Sequence, residues 1–366
     1  MSQLSGEPFL GLFVLEAANN HLGSVDRGLA IVREYGEVVR FNNVRAAIKL
    51  QIRDVENFIH ADFRGRGDIR YIAKTEATRL QFAEIKRLVD EIRRVGCIPM
   101  ATPFDEESVA TCERLELPIL KVASSDVNDW PLIERVAESR RPVIISTGGA
   151  SEKSIDDVVS FFERRSIPLA INHCISLYPS EDSDLQLNQI DYLRTRYPGH
   201  VIGLSSHEYN DWQASMHISY AKGARTWERH VDIDRDDVPV SPYCSVPEQV
   251  DVWFRAYHKA VEMSGGSGES RRPIPAAESD YLHALVRGVY ARRDLEQGLE
   301  LTSESFGENF YLAVPLLKGQ LSSREVMTGE RLRQPLKKDR PLLVTDIDGP
   351  YSRSESMRRH ILARTY

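Results

Sequence analysis

The sequence predicts a (β/α)8 barrel followed by a small β-rich domain, and three observations carry the prediction. Eight short apolar or β-branched runs alternate with eight helical patterns, which is how repeated βαβ units read. Polar, catalysis-type residues sit at the C-terminal end of nearly every one of those runs, where a barrel gathers its active site. A Gly/Ser/Pro-rich stretch then separates the alternating region from shorter strand-like segments. The 366 residues suit this division, because one barrel occupies about 250.

In chain order the predicted strands are Leu10–Glu16, Ala46–Ile52, Cys97–Phe104, Ile119–Ser125, Pro142–Gly148, Leu169–Ile175, Val201–His207 and Ala224–Val231. The helices are Val25–Glu37, Thr78–Val95, Glu106–Leu115, Pro131–Ser139, Glu152–Arg164, Leu187–Arg196, Asp211–Lys222 and Pro247–Met263. Eight strands each followed by a helix close on themselves more naturally than they form an open sheet. The barrel is therefore expected over 1–263, a linker over 264–280, the β-rich domain over 281–348 and a weakly patterned basic tail over 349–366.

A formal charge of -7 leaves no electrostatic footprint for nucleic acid, so an anionic ligand has to be held by a local cluster of donors. The first apolar run has no basic flank and stops at Glu16, too short for a signal sequence or a membrane span, so a cytoplasmic protein is expected. Cys97, Cys112, Cys174 and Cys244 form no CxxC pair and read as buried thiols. No P-loop or GxGxxG is present, which leaves a nucleotide cofactor without support.

The polar strand ends are Glu16, Lys49 with Gln51, Thr102, Lys121 with Ser124, Ser146, His173, His207 and His230. Singly, Thr102, Ser124 and Ser146 read equally well as caps of the helices that follow; together, the strand ends point to one site. His207 and His230 end neighbouring strands about 4.8 Å apart, so both imidazoles can reach one metal ion, with Glu16 or water completing an open site. The plainer alternative is two satisfied core histidines. Glu228 lies on the same side of its strand as His230 and is placed to orient a ligand or bind a sugar hydroxyl. Lys49 and Lys121 lie in apolar strands where an unpaired ammonium is costly. Each calls for an anion, either a structural partner such as Glu16 or the phosphate or carboxylate of a ligand. Ser205 adds a hydroxyl, and the Ser-Thr-Gly-Gly turn at Ser146 adds backbone N–H groups ahead of a helix.

The segments FVLEAANNHLGS, IKLQ, ATPFDEESV, LKVASSDVNDWPLI, PVIISTGGAS, INHCISLYPS, GLSSHEYND and ARTWERHVD follow one another in an order and spacing that resembles the sialic acid (N-acetylneuraminate) synthase family over nearly the whole chain. Beyond the linker, VYARRDLEQGLELTSE is similar to the start of the antifreeze-like (SAF) domain that follows the barrel in that family. The resemblance implies condensation of phosphoenolpyruvate with an N-acylated aldose and water, giving a 2-keto-3-deoxy sugar acid and phosphate. It implies a divalent metal on His207 and His230, Mn²⁺ first with Mg²⁺ or Co²⁺ as alternatives. Phosphoenolpyruvate contacts carry over to Lys49, Gln51, Thr102, Lys121, Ser124, Ser146 and Ser205, with Glu16 as acid/base. His173, Ser176, Tyr178 and Glu228 join the substrate contacts. A domain-swapped homodimer is implied too, with neither nucleic acid nor membrane as a partner.

Four positions depart from the family pattern. Ser176 stands for Asn, Ser241 for Asp, and Ser206 for the Asp beside the first histidine. The Arg-Pro-Gly segment of the small domain is replaced by FYLAVPLLKGQ around Ala313 and Val314. Most of these changes fall where the family binds its acceptor, so an altered aldose is expected. Acceptors bearing a phosphate are disfavoured on sequence grounds, because Arg53 and Arg229 are the only extra cations near strand ends. The competing readings are a barrel that binds phosphoenolpyruvate or sugar without turnover, and a metal-dependent hydrolase, which would need a third strong protein ligand.

Overall fold

A computed structural model describes residues 8–235, 237–266, 268–325 and 328–363. Residues 1–7, on which the expectation of no leader partly rests, lie outside the described residues. The chain divides into two compact units, Met1–Gly265 and Gly266–Tyr366. Among the described residues no helix is long and apolar enough to cross a membrane.

The first unit is a closed parallel barrel of β1 (Leu12–Ala18), β2 (Arg45–Ile52), β3 (Ile98–Pro103), β4 (Ile119–Val122), β5 (Val143–Ser146), β6 (Leu169–Cys174), β7 (Val201–Ser206) and β8 (Thr226–Val231). Each strand pairs with the next, and β1 closes the ring on β8. Around it lie α1 (Val25–Asn42), α2 (Phe82–Arg94), α3 (Glu106–Arg114), α4 (Trp130–Glu138), α5 (Glu152–Glu163), α6 (Asn188–Arg196), α7 (Ala214–Ala221) and α8 (Pro247–Ser264). A two-residue strand, β9 (Cys244–Ser245), lies parallel against β8. Local signals set the helix ends. In α1 the Ser24 side chain accepts from the Arg27 N–H, and Asn43 ends the helix in the left-handed region at φ 50°. Asp105, Asp129 and Ser151 cap α3, α4 and α5 in the same way as Ser24.

The two-residue side-chain period of a strand divides the barrel into two faces. Outward residues such as Phe13, Leu15, Ile48, Leu120, Ile145 and Trp227 form the main core against the helices. Inward residues form a separate apolar plug of Phe9, Leu12, Val14, Ala47, Met100, Ile119, Ile144 and Ala170 at the N-terminal half. One step of two residues further along each strand, the inward series turns polar. Val14 gives way to Glu16, Ala47 to Lys49, Met100 to Thr102, Ile119 to Lys121 and Ile144 to Ser146. The plug stops solvent from passing through the barrel, so the polar half opens at one end only.

Three expectations need correction. The helix expected over Thr78–Val95 begins only at Phe82, and the residues between β2 and α2 carry helices of their own, Val55–Phe58 and Arg70–Ala77. A helix over Ala276–Ala284 takes up the last five residues of the expected linker and the first four of the expected β-rich domain. The expected tail is helical over Pro350–Arg353 and Glu355–Leu362, and its Ile361 is buried in the core of the second unit. The period-3.6 signal there is too short to be read without the apolar surface that receives it.

The second unit is β-rich. β10 (Gly288–Ala291) pairs antiparallel with β12 (Phe310–Ala313), while β11 (Glu300–Leu301), β13 (Glu330–Leu332) and β14 (Ile347–Asp348) form a second antiparallel sheet. Val289, Ala291, Leu301, Phe310, Leu332 and Ile347 fill the core of this unit.

Candidate active site

The polar half of the barrel opens into a cavity of about 520 Å³, within the range of small-molecule sites. Glu16, Lys49, Gln51, Thr102, Lys121, Ser124, Ser146, Ser176, Tyr178, Ser205, His207, Glu228 and His230 all line it. These residues come from all eight strands or the turns just beyond them, and only the closure of β1 on β8 brings the first and last together. Glu16 and His230 are cross-strand partners there, as Glu16 and Lys49 are between β1 and β2.

Two ammoniums and two carboxylates form the floor. Lys49 is ion-paired with Glu16 and, at 3.1 Å, with Glu228; Lys121 is paired with Glu228. Lys49 also donates to the Thr102 hydroxyl at 2.9 Å, and Glu16 accepts the Ala18 N–H at 2.7 Å. The demand of each buried lysine for an anion is thus met inside the protein.

The two carboxylates differ in kind. Burial raises Glu16, and its one lysine does not fully offset that. Burial acts on Glu228 as well, but Lys121 and Lys49 together outweigh it and hold the carboxyl at about 2. Glu228, facing both ammoniums, is therefore the fixed anion, whereas the charge on Glu16 is held less firmly by its single lysine.

Burial also pushes His207 and His230 down to about 3, so both imidazoles are neutral, the form that binds metals. Their ring centroids are 5.4 Å apart. His207 Nδ1 lies 2.8 Å from the Ile175 carbonyl oxygen, so it carries the proton and leaves the Nε2 lone pair free. His230 Nδ1 is buried without a partner. Two neutral imidazoles, one oriented from behind and one with an orphaned nitrogen, fit a two-histidine cation site completed by water or substrate oxygens. Among the described residues no group of three His, Cys, Asp or Glu could hold a metal, so no stronger protein site competes. Tyr178 packs on His207 at 4.1 Å between ring centroids, and Tyr243 packs edge-on to His230 at 5.3 Å.

On the β4–β6 side the hydroxyls crowd together around Gly148. Its N–H donates to Ser124 Oγ at 3.0 Å, and a Cβ placed there would lie 2.2 Å from Ser176 Oγ and 2.9 Å from Ser124 Oγ. The missing side chain lets two serines and a backbone donor converge, an arrangement suited to an anion.

His173 does not belong to the site. It points outward from β6, and its Nε2 sits 2.8 Å from the Leu185 carbonyl oxygen, so it is a satisfied core histidine. Its neighbour Cys174 has the inward parity and lines the cavity instead. Arg229 is also outward and is fully engaged with buried Glu208, Ser245 and the Glu208 carbonyl. It offers nothing to a ligand. Ser206 shares that outward face, and the orienting contact to His207 comes from a backbone carbonyl rather than a carboxylate. Ser241 is not among the lining residues; Tyr243, two positions on, is. In the second unit Ala313 ends β12 and Val314 is exposed.

Asn19, Asn20, Arg53, Tyr71, Lys74, Cys174 and Tyr243 line the cavity without having been singled out from sequence as ligand contacts, although Arg53 was noted as a nearby cation. The parity of β2 and β6, continued two residues past Gln51 and Asn172, points to Arg53 and Cys174. No comparable signal marks Tyr71, Lys74 or Tyr243, which lie in connections.

Comparison with known proteins adds three relatives and a family. A model described as the NeuB family matches residues 42–266, more than half of the chain. A protein of Chromobacterium violaceum provisionally named spore coat polysaccharide biosynthesis protein E superimposes with a TM-score of 0.85 at 38% identity, covering 92% of this chain and 99% of that one. A pseudaminic acid synthase of Campylobacter jejuni is 24% identical over 88% of this chain and 95% of its own length. An N-acetylneuraminate-9-phosphate synthase of Drosophila melanogaster is 34% identical over 41% of this chain and 40% of its own.

Proposed function

The chain belongs to the NeuB family, and from that premise we propose that it condenses phosphoenolpyruvate with an aldose and water to give a 2-keto-3-deoxy sugar acid of the nonulosonic type and phosphate. The observation that carries the reading is the unequal pair of carboxylates, one facing two ammoniums and one facing a single ammonium, in a cavity that also holds a hydroxyl cradle and two neutral imidazoles.

In this reading Lys121, Thr102, Ser124 and Ser146 hold the phosphate and carboxylate of phosphoenolpyruvate, with the Gly148 N–H orienting the Ser124 hydroxyl. A divalent cation on His207 and His230, Mn²⁺ in the first instance, would polarise the carbonyl oxygen of the open-chain aldose. Tyr178 and Tyr243 wall the space beside the imidazoles and hold the aldehyde against C3 of phosphoenolpyruvate. As the C3–C1 bond forms, the carbonyl oxygen of the acceptor takes up a proton. Water adds at C2 and gives up a proton; the C2 hydroxyl so formed then passes its own proton to the departing phosphate oxygen as the C2–O bond to phosphate breaks and the C2 keto group forms. Glu16 is the group able to accept that proton and return one, because its carboxyl is the only one of the pair not pinned by two lysines. Glu228 holds Lys49 and Lys121 in position throughout.

The second unit is read on the same premise as an antifreeze-like domain and the protein as a homodimer, which sedimentation would test. The deciding experiment follows phosphate release from phosphoenolpyruvate with Mn²⁺ and a panel of plain and N-acylated aldoses, with and without EDTA. Release that requires one aldose and is abolished by EDTA supports the synthase. Tight phosphoenolpyruvate binding with no release for any aldose would favour a binding protein instead.

A further inference from the structure

The cavity mouth carries two cations that the condensation chemistry does not use. Arg53 follows β2 and lines the cavity. Lys74 lines it too, from the helix Arg70–Ala77 in the connection between β2 and α2. Tyr71 and Lys74 are three residues apart on that helix, hence on one face, and both border the cavity.

Arg53 is prepared for a ligand. Its guanidinium carbon lies 3.6 Å from the centroid of Phe104 and within 5.7 Å of those of Phe58 and Tyr71, so aromatic faces fix the plane of the fork. One Nη donates to Gln51 at 3.2 Å, while the Nε is buried without a partner. Among the described residues no carboxylate lies within 4.0 Å of Arg53 or Lys74. Asp126 feels the charge of Arg53 but forms no ion pair with it, and burial pushes its carboxyl up to about 6. A planar, preoriented guanidinium with an unused donor matches a phosphate or carboxylate, and an ammonium at the same mouth adds a second positive charge. The floor of the cavity is different, since there every ammonium already faces a carboxylate.

We propose that Arg53, assisted by Lys74, docks an anionic group on the far end of the acceptor, so that the sugar condensed here is a phosphorylated or carboxylated aldose. The inference rests on the condensation reading for its chemistry. Arg53, Lys74 and the two imidazoles line one cavity, so the carbonyl and the far end of a single open-chain acceptor can be held in it together. The expectation from sequence that a charged acceptor lacks a binding site is reversed by Lys74, which reaches the site from a helix unrelated to any strand end.

The test has a binding arm and a turnover arm. Calorimetry with the full-length protein would compare mannose, mannose 6-phosphate, N-acetylmannosamine, its 6-phosphate and mannuronate, and separately phosphoenolpyruvate, for wild type, R53M, R53K and K74Q. The expected result is at least tenfold tighter binding of a charged sugar than of its neutral parent. R53M should erase that preference, while R53K and K74Q reduce it several-fold. The 6-phosphate and uronate arms decide between the two anions. Phosphate release should follow the same order in kcat/KM. Equal use of neutral and charged aldoses overturns the proposal, as does an R53M effect on phosphoenolpyruvate affinity as large as that on the charged sugar. If no aldose is turned over but sugar phosphate still binds through Arg53, the anion site stands and the condensation reading fails.

Discussion

Glu16→Gln and Glu228→Gln remove one carboxylate charge each from the same buried cluster, and the structure requires clearly unequal outcomes. Glu228 is shared by Lys49 and Lys121, and both it and the lysines are buried. Replacing it leaves Lys121 without its carboxylate, and breaking a buried pair in this way costs about 3–5 kcal/mol. Part of that returns as Lys121, whose charge burial already disfavours, loses its proton, so a net loss near the lower end, ~3 kcal/mol, is expected. Glu16→Gln keeps the acceptor that binds the Ala18 N–H, and Lys49 keeps Glu228. Because burial already disfavours the charge on Glu16, its removal should cost under about 1 kcal/mol. Urea unfolding of both variants at neutral pH measures the difference, with the barrel followed by tryptophan fluorescence. In the same pair, phosphate release should fall about 10²–10⁴-fold for Glu16→Gln while phosphoenolpyruvate still binds. A Glu16→Gln variant less stable than Glu228→Gln would refute the unequal-carboxylate argument, and a Glu16→Gln variant with near wild-type turnover would remove Glu16 from proton transfer.

Three further predictions rest on other parts of the molecule. Gly148→Ala places a methyl group 2.2 Å from Ser176 Oγ, so that serine must rotate away; phosphoenolpyruvate affinity should drop about tenfold, roughly 1.4 kcal/mol, with the urea midpoint nearly unchanged, and unaltered affinity would show that the cradle does not hold the ligand. His21 is buried and held down at about 4 against 6.5 in the unfolded chain, Glu84 opposing only weakly. The unfolded chain therefore binds the extra proton between those values, and the stability due to neutral His21 is complete above pH 6.5 and lost towards pH 4, about 3 kcal/mol in all; His21→Asn should flatten that part of the urea-midpoint profile. Burial pushes Cys97 up to about 11 and both Cys112 and Cys244 up to about 12, so native protein should react with a thiol reagent at these sites only on the timescale of unfolding, and rapid modification of any of the three at pH 8 would contradict their packing.

The sequence by itself determined the architecture and most of the cavity lining. Strand periodicity is a local property, so the alternation of eight apolar runs with eight helices could be counted before any contact was known, and Glu16, Lys49, Lys121, His207 and His230 stood at strand ends that a barrel must bring to one rim. His173 was misplaced because position at a strand end was used without parity: on a strand the next residue faces the other way, and Cys174 took the inward place. Arg53 was visible and undervalued, whereas Lys74 and Tyr71 reach the mouth from a helix inside a long connection, which no spacing rule locates. The distinction between the two glutamates was decided only by the tertiary structure. It depends on how many ammoniums face each buried carboxylate at the floor of the cavity, and β1, β2, β4 and β8 supply those groups from positions between 16 and 228, which meet only when the barrel closes.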